Sequence, residues 1–148
     1  MNIAKPKIIK GGCFKDERGT VSFINDFNMS SIKRMYAIKH ESLQTIRAWQ
    51  GHKIEHKYFK CTKGSFAVAW KKIDNYKCPS DLPLPEYHIL KASENQILSI
   101  PPGYMNGLKA IEKNAEILVF SNLNLEASLK DSIRFENKLW LDWFNNIR

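Results

Sequence analysis

The densest run of reactive side chains is Arg47-Ala48-Trp49-Gln50-Gly51-His52-Lys53-Ile54-Glu55-His56-Lys57. An arginine fork suits phosphate, an imidazole moves protons near neutral pH, and a lysine ammonium stabilises an oxyanion. In an extended chain residues two apart share a face. Gln50, His52 and Ile54 are therefore expected on one side, and Lys53, Glu55 and Lys57 on the other. A charged, solvated strand edge is the plain alternative. His52 and His56 could also bind metal, but zinc or iron needs three or four convergent ligands. His40 and His88 stand at no ligand-like spacing from them, so no metal is expected.

The elements that must position this cluster read as short strands between turns. Asp16-Glu17-Arg18-Gly19 is a turn before the strand-like Thr20-Val21-Ser22-Phe23-Ile24. Ile32 to Ile38 alternates as a half-buried strand does. Ile54 to Cys61 reads as a strand running into a hairpin signal at Thr62-Lys63-Gly64. Beyond it, Phe66-Ala67-Val68-Ala69-Trp70 alternates large with small, which suits a curved sheet with one crowded face. Asp74 to Pro85 is a proline-rich surface loop. Strand patterns return at Tyr87 to Leu90 and Gln96 to Ile100, broken by Pro101-Pro102-Gly103, and Ile117 to Phe120 reads as a central strand. The aromatic tail Leu139-Trp140-Leu141-Asp142-Trp143-Phe144 must dock on the body or on a partner subunit. Many short strands without helical period indicate an all-β sandwich or barrel.

Composition narrows the function. The 148 residues suit one domain with a single substantial core. The net charge is +8, and residues 1–63, with 13 basic and 5 acidic side chains, hold the whole excess. An anionic partner is expected for that half. Nucleic acid is not, because no binding signature accompanies the charge and Phe14, Phe23, Tyr36, Trp49 and Tyr58 alternate as core residues do. No run approaches the roughly 18 apolar residues of a membrane span. The first residues lack the apolar core of a signal peptide. Cys13, Cys61 and Cys78, odd in number and without CxxC spacing, point to reduced thiols in the cytoplasm.

Five phrases in order, from about Phe14 to Trp143, resemble the cupin-type sugar-nucleotide isomerases. These are the dTDP-4-dehydrorhamnose 3,5-epimerases and the related dTDP-4-dehydro-6-deoxyglucose 3,4-ketoisomerases. Phe14-Lys15-Asp16-Glu17-Arg18-Gly19 resembles their opening F-x-D-x-R-G, and Lys33-Arg34-Met35-Tyr36-Ala37-Ile38 the ketoisomerase K-R-x-Y-x-I. Arg47 to Lys53 resembles R-G-x-H-x-H-K, with Ala48 for glycine and Gln50 for the first histidine. Lys57 stands seven residues before Gly64, as an epimerase lysine does before its hairpin glycine. Ile100 to Leu108 resembles I-P-x-G-F-x-H-G-F with Asn106 for histidine, and Leu139 to Trp143 resembles the closing L-x-I-x-W.

The resemblance implies a double-stranded β-helix (cupin jelly roll), a homodimer with N-terminal strands at the interface, and neither metal nor other cofactor. It implies a cytoplasmic isomerase or epimerase of a nucleoside-diphospho-4-keto-6-deoxy sugar, working through an enediolate in surface-polysaccharide precursor synthesis. His52 would be base and acid, and Lys57 would stabilise the enolate. Arg47 and Arg34 would hold the diphosphate, with Tyr36, Gln50 and Asn106 as further substrate contacts. The departures support an alternative. Gln50 stands at the family's base and Val119 at its acid, so a non-catalytic cupin binding a nucleotide sugar or a partner protein is the other expectation.

Overall fold

A computed structural model describes residues 4–147. The strands in chain order are β1 (Lys7–Lys10), β2 (Gly12–Asp16), β3 (Gly19–Phe23), β4 (Arg34–Ile38), β5 (Ile46–His52) and β6 (Lys57–Lys63), followed by β7 (Ser65–Lys72), β8 (Glu86–Lys91), β9 (Gln96–Ile100), β10 (Tyr104–Ala110), β11 (Glu116–Ser121) and β12 (Ser132–Arg134). One short helix, α1 (Leu125–Lys130), lies between β11 and β12. Two five-stranded antiparallel sheets, ordered β1-β9-β6-β11-β4 and β12-β5-β10-β7-β8, form the jelly roll, and β2 and β3 make a separate hairpin.

Sequence alternation explains how the sheets pack. Phe59, Leu98, Ile117 and Val119 of the first sheet meet Phe66, Val68, Leu90 and Leu108 of the second in one apolar core. On β7 the large Phe66 and Val68 fill that core, while the small Ala67 and Ala69 face the other way. There they meet the chain's own C-terminal segment. Trp143 is 2% exposed and packs with Trp49, Met105 and Ile147. A Cβ added at Gly107 would stand 2.7 Å from the Trp143 ring and 2.7 Å from the Ala48 Cβ, so the indole needs a glycine beneath it. The aromatic tail therefore docks on the body of its own subunit.

Three local expectations are corrected, and one element is new. Gly64, at φ +67°, does not close a hairpin between β6 and β7. The two strands belong to different sheets, and the turn carries the chain across the sandwich. The strand expected over 54–61 begins only at Lys57, and that expected over 32–38 only at Arg34. Helix α1 was not expected; Asn124 starts it by accepting the Ala127 N–H at 2.9 Å, an ordinary N-cap.

Candidate active site

The cavity that matters, about 430 Å3, opens between the sheets at the end where α1 lies. Arg34 and Tyr36 come to it from β4, Arg47 and Gln50 from β5, Lys57 from β6, and Asn106 from β10. Strand β5 delivers two side chains by breaking its own alternation. Gly107 and Asn106 of β10 pair with Ala48 and Gln50, so Trp49 is an extra residue, a bulge. Arg47 and Gln50, three apart, thus face the cavity together while Trp49 packs under the C-terminal tail.

The segment after β5 decides the rest. The Asp131 carboxylate, at the end of α1, accepts the backbone N–H groups of Lys53 at 3.0 Å, Ile54 at 3.0 Å and Glu55 at 2.7 Å. That grip turns the chain instead of extending it. Ile54 is left in solvent, and Glu55 is driven inward to 1% exposure. Its carboxylate accepts the hydroxyls of Ser121 and Ser128, at 2.5 and 2.9 Å, and lies 3.5 Å from the Arg34 guanidinium. Burial alone would raise the Glu55 pKa; the Ser121 hydroxyl, the Lys57 and His52 charges and the Ser128 hydroxyl outweigh it and hold the group below the usual carboxylate range.

Arg34 is fixed on three sides. It donates to Ser128 Oγ at 3.1 Å, lies by Glu55, and sits 4.7 Å from the centre of the Tyr36 ring. Lys57 donates from Nζ to Gln50 Oε1 at 2.9 Å, and Gln50 Nε2 donates to Ser132 Oγ at 2.7 Å. Burial drags the Lys57 pKa down; Glu55 resists, Arg34 and Arg134 add to the fall, and it settles at about 8. Burial pushes Tyr36 up to about 12 against the pull of Arg34 and Arg47, so its phenol stays protonated. Asn106 Nδ2 is buried without a hydrogen-bond partner. An orphaned donor in a cavity wall is a place for a ligand's oxygen.

Six of the seven residues expected at the site line this cavity: Arg34, Tyr36, Arg47, Gln50, Lys57 and Asn106. His52 does not. The expectation that it shares the open face with Gln50 is corrected: the residue is 2% exposed and lies behind the wall, with Nδ1 3.3 Å from Glu55 and 3.8 Å from Asp131. Burial first and the Lys57 charge second push its pKa down to about 4, against the attraction of Glu55 and Asp131, which leaves a neutral ring at pH 7. Its partners on the strand face also differ from those expected, because Ile54 turns out and Glu55 turns in. Val119 is buried in the core, directly across from Tyr36 in the β11–β4 pairing.

The family described as FdtA, WxcM-like, C-terminal, matches residues 4–139. This chain belongs to that family. No curated protein matches it. Among solved structures, the fold of this WxcM-like chain is shared by QdtA, a sugar 3,4-ketoisomerase from Thermoanaerobacterium thermosaccharolyticum in complex with TDP. That match has a TM-score of 0.69 and 20% identity, over 93% of each chain. The WlaRB TDP-quinovose 3,4-ketoisomerase from Campylobacter jejuni matches at TM-score 0.69 and 20% identity, over 92% of this chain and 97% of its own. ChmJ, a 3'-monoepimerase from Streptomyces bikiniensis in complex with dTDP-quinovose, reaches 0.76 at 13% identity, over 100% of this chain and 79% of its own.

Two lining residues of this WxcM-like domain escaped sequence reading. Ser128 rides on α1, and Arg134 arrives because β12 pairs with β5, setting Arg134 opposite Gln50. The Asn124 cap was the only local signal for that region, and nothing near Arg134 in sequence marks it as part of the site.

Proposed function

We propose that this protein is an isomerase or epimerase of a nucleoside-diphospho-4-keto-6-deoxy sugar, moving a proton next to the ketone through an enediolate. One observation carries the reading. Arg34, Arg47, Lys57 and Arg134 converge on a single cavity whose lining, among the described residues, includes no carboxylate. Four cations facing one another repel, and a bound dianion removes that strain; arginine forks fit a diphosphate's oxygens. Glu55 offsets part of the charge from behind the wall, by Arg34. The TDP, or dTDP-sugar, in the complexes of similar fold supports the same ligand class.

The reading extends to a homodimer, for which the apolar Phe14, Val21 and Phe23 exposed on the β2–β3 hairpin offer a contact surface. It extends also to a cytoplasmic enzyme of surface-polysaccharide precursor synthesis, in keeping with three free thiols.

The test is incubation with TDP-4-keto-6-deoxyglucose in deuterated water, followed by proton NMR of the sugar. Solvent deuterium entering beside the ketone, or migration of the ketone, is the expected result. A protein that binds TDP and leaves every sugar proton in place would refute isomerase activity on that substrate.

A further inference from the structure

On the nucleotide-sugar reading, some group must take a proton from the carbon beside the ketone, and the cavity wall offers few. Its ionisable side chains are Arg34, Arg47, Arg134, Tyr36 and Lys57. Guanidinium keeps its protons at every working pH. The Tyr36 phenol is held protonated by burial. The nearest imidazole and carboxylate, His52 and Glu55, lie behind the lining. Among the described residues, only the Lys57 amine both faces the cavity and can exist with a free lone pair near neutral pH.

We propose that Lys57 is the proton carrier of this site, taking the proton from the carbon beside the ketone and returning it to the sugar, while Asn106 holds the ketone oxygen. The inference rests on the function proposed above. Its geometric support is the grip on Nζ: Gln50 Oε1 accepts from it at 2.9 Å, and Gln50 is itself anchored on Ser132 at 2.7 Å. A glutamine there orients the amine without competing for the proton, as a histidine would. Asn106 stands directly opposite Gln50 in the β5–β10 pairing, with its buried amide donor unpartnered. The Cβ atoms of residues so paired lie roughly 5 Å apart, and Lys57 is bonded to Gln50, so one sugar ring can touch both Lys57 and Asn106.

The charged and titratable groups around Lys57 are Arg34 and Tyr36 from β4, Arg47 and His52 from β5, Glu55 from the turn, and Arg134 from β12. Burial and the two arginines favour the neutral amine, and Glu55 limits their effect.

The step balances without an oxidant or a cofactor. The neutral amine takes the C3 proton, the C–H pair becomes the C3–C4 double bond, and the carbonyl pair moves to the C4 oxygen, facing Asn106. The C3 hydroxyl proton passes to that oxygen as the C3 carbonyl forms. The double-bond pair then takes a proton from the Lys57 ammonium at C4. A single carrier on one face cannot invert the carbon it deprotonates, so the arrangement moves the ketone.

The experiment compares native protein with Lys57→Arg on TDP-4-keto-6-deoxyglucose in deuterated water, with TDP binding measured by calorimetry. Lys57→Arg is expected to bind TDP within a few-fold of native and to lose exchange by about 10²–10⁴-fold. Native exchange should rise with pH to a plateau, with its midpoint at or above the value of about 8 that the ligand-free site sets, because a bound diphosphate favours the ammonium. In a separate run in ordinary water, a C3-deuterated substrate should deliver no more than roughly one third of its label to the product, because an ammonium carries three hydrogens. Retention above that fraction, or Lys57→Arg exchanging within tenfold of native, overturns the proposal and leaves the isomerase reading intact. Loss of exchange in His52→Asn alongside an active Lys57→Arg would return the role to imidazole. A native protein that neither binds TDP nor exchanges a proton overturns both. The pH and label readouts use native protein and do not depend on how a variant folds.

Discussion

Asp131 Oδ2 accepts the backbone N–H of Glu55 at 2.7 Å, across 76 residues of sequence, and this bond sets what stands behind the cavity wall. The same carboxylate takes the N–H groups of Lys53 and Ile54, so one side chain bends the chain between β5 and β6. The bend buries Glu55, and Glu55 steadies Arg34.

Asp131→Ala should release that turn. Hydrogen bonds to a charged acceptor contribute about 1.5–3 kcal/mol each, and solvent will recover part of the loss. A net destabilisation of about 3 kcal/mol in urea unfolding is expected, with weaker TDP binding by calorimetry as Arg34 loses its buried partner. Stability within about 0.5 kcal/mol of native would refute the role given to Asp131.

His52 makes stability depend on pH in a definite direction. Its folded pKa, about 4, lies below the 6.5 of a free imidazole. The unfolded chain therefore takes up the proton first as pH falls, and stability is lost between about 6.5 and about 4. His52→Asn should flatten the urea midpoint over that window. An unchanged slope would show that the ring is not held neutral in the fold.

Diphosphate recognition should fail stepwise with the arginines. Arg47→Ala and Arg134→Ala are each expected to weaken TDP binding about 10–100-fold, the worth of a charge-assisted hydrogen bond or two, with little change in thermal stability. If calorimetry shows either variant binding as native does, that arginine does not face the diphosphate.

Gln50→Glu places a carboxylate where Lys57 now meets an amide oxygen. A carboxylate at that distance raises a lysine pKa by about 1–3 units, so the rising limb of the pH–rate profile should move up by as much. Activity near neutral pH falls and returns in alkali. A limb that stays in place would mean that the titrating group is not Lys57.

Val21→Asp puts a charge on an apolar hairpin, at a position 62% exposed in the single chain. Light scattering after size exclusion should show a dimer for native protein and a monomer for the variant. A native monomer would remove the partner subunit from the proposed function.

Local chemistry determined much of this protein in advance. Period-two alternation gave β7 one crowded face, Asp16 to Gly19 marked a turn, and the aromatic tail demanded cover. Six residues now around the cavity, Arg34, Tyr36, Arg47, Gln50, Lys57 and Asn106, were visible as motif positions because each lies on a strand whose phrase is continuous in sequence. What only the tertiary structure decided is where those phrases bend and what they meet. The Trp49 bulge, the Asp131 grip that turns Glu55 inward, the seclusion of His52 and the arrival of Arg134 opposite Gln50 all depend on pairings between distant segments. Alternation follows from the backbone geometry of neighbouring residues and is legible one residue at a time. A carboxylate capturing three amides more than 70 residues away is selected by the closed fold, and no local pattern records it.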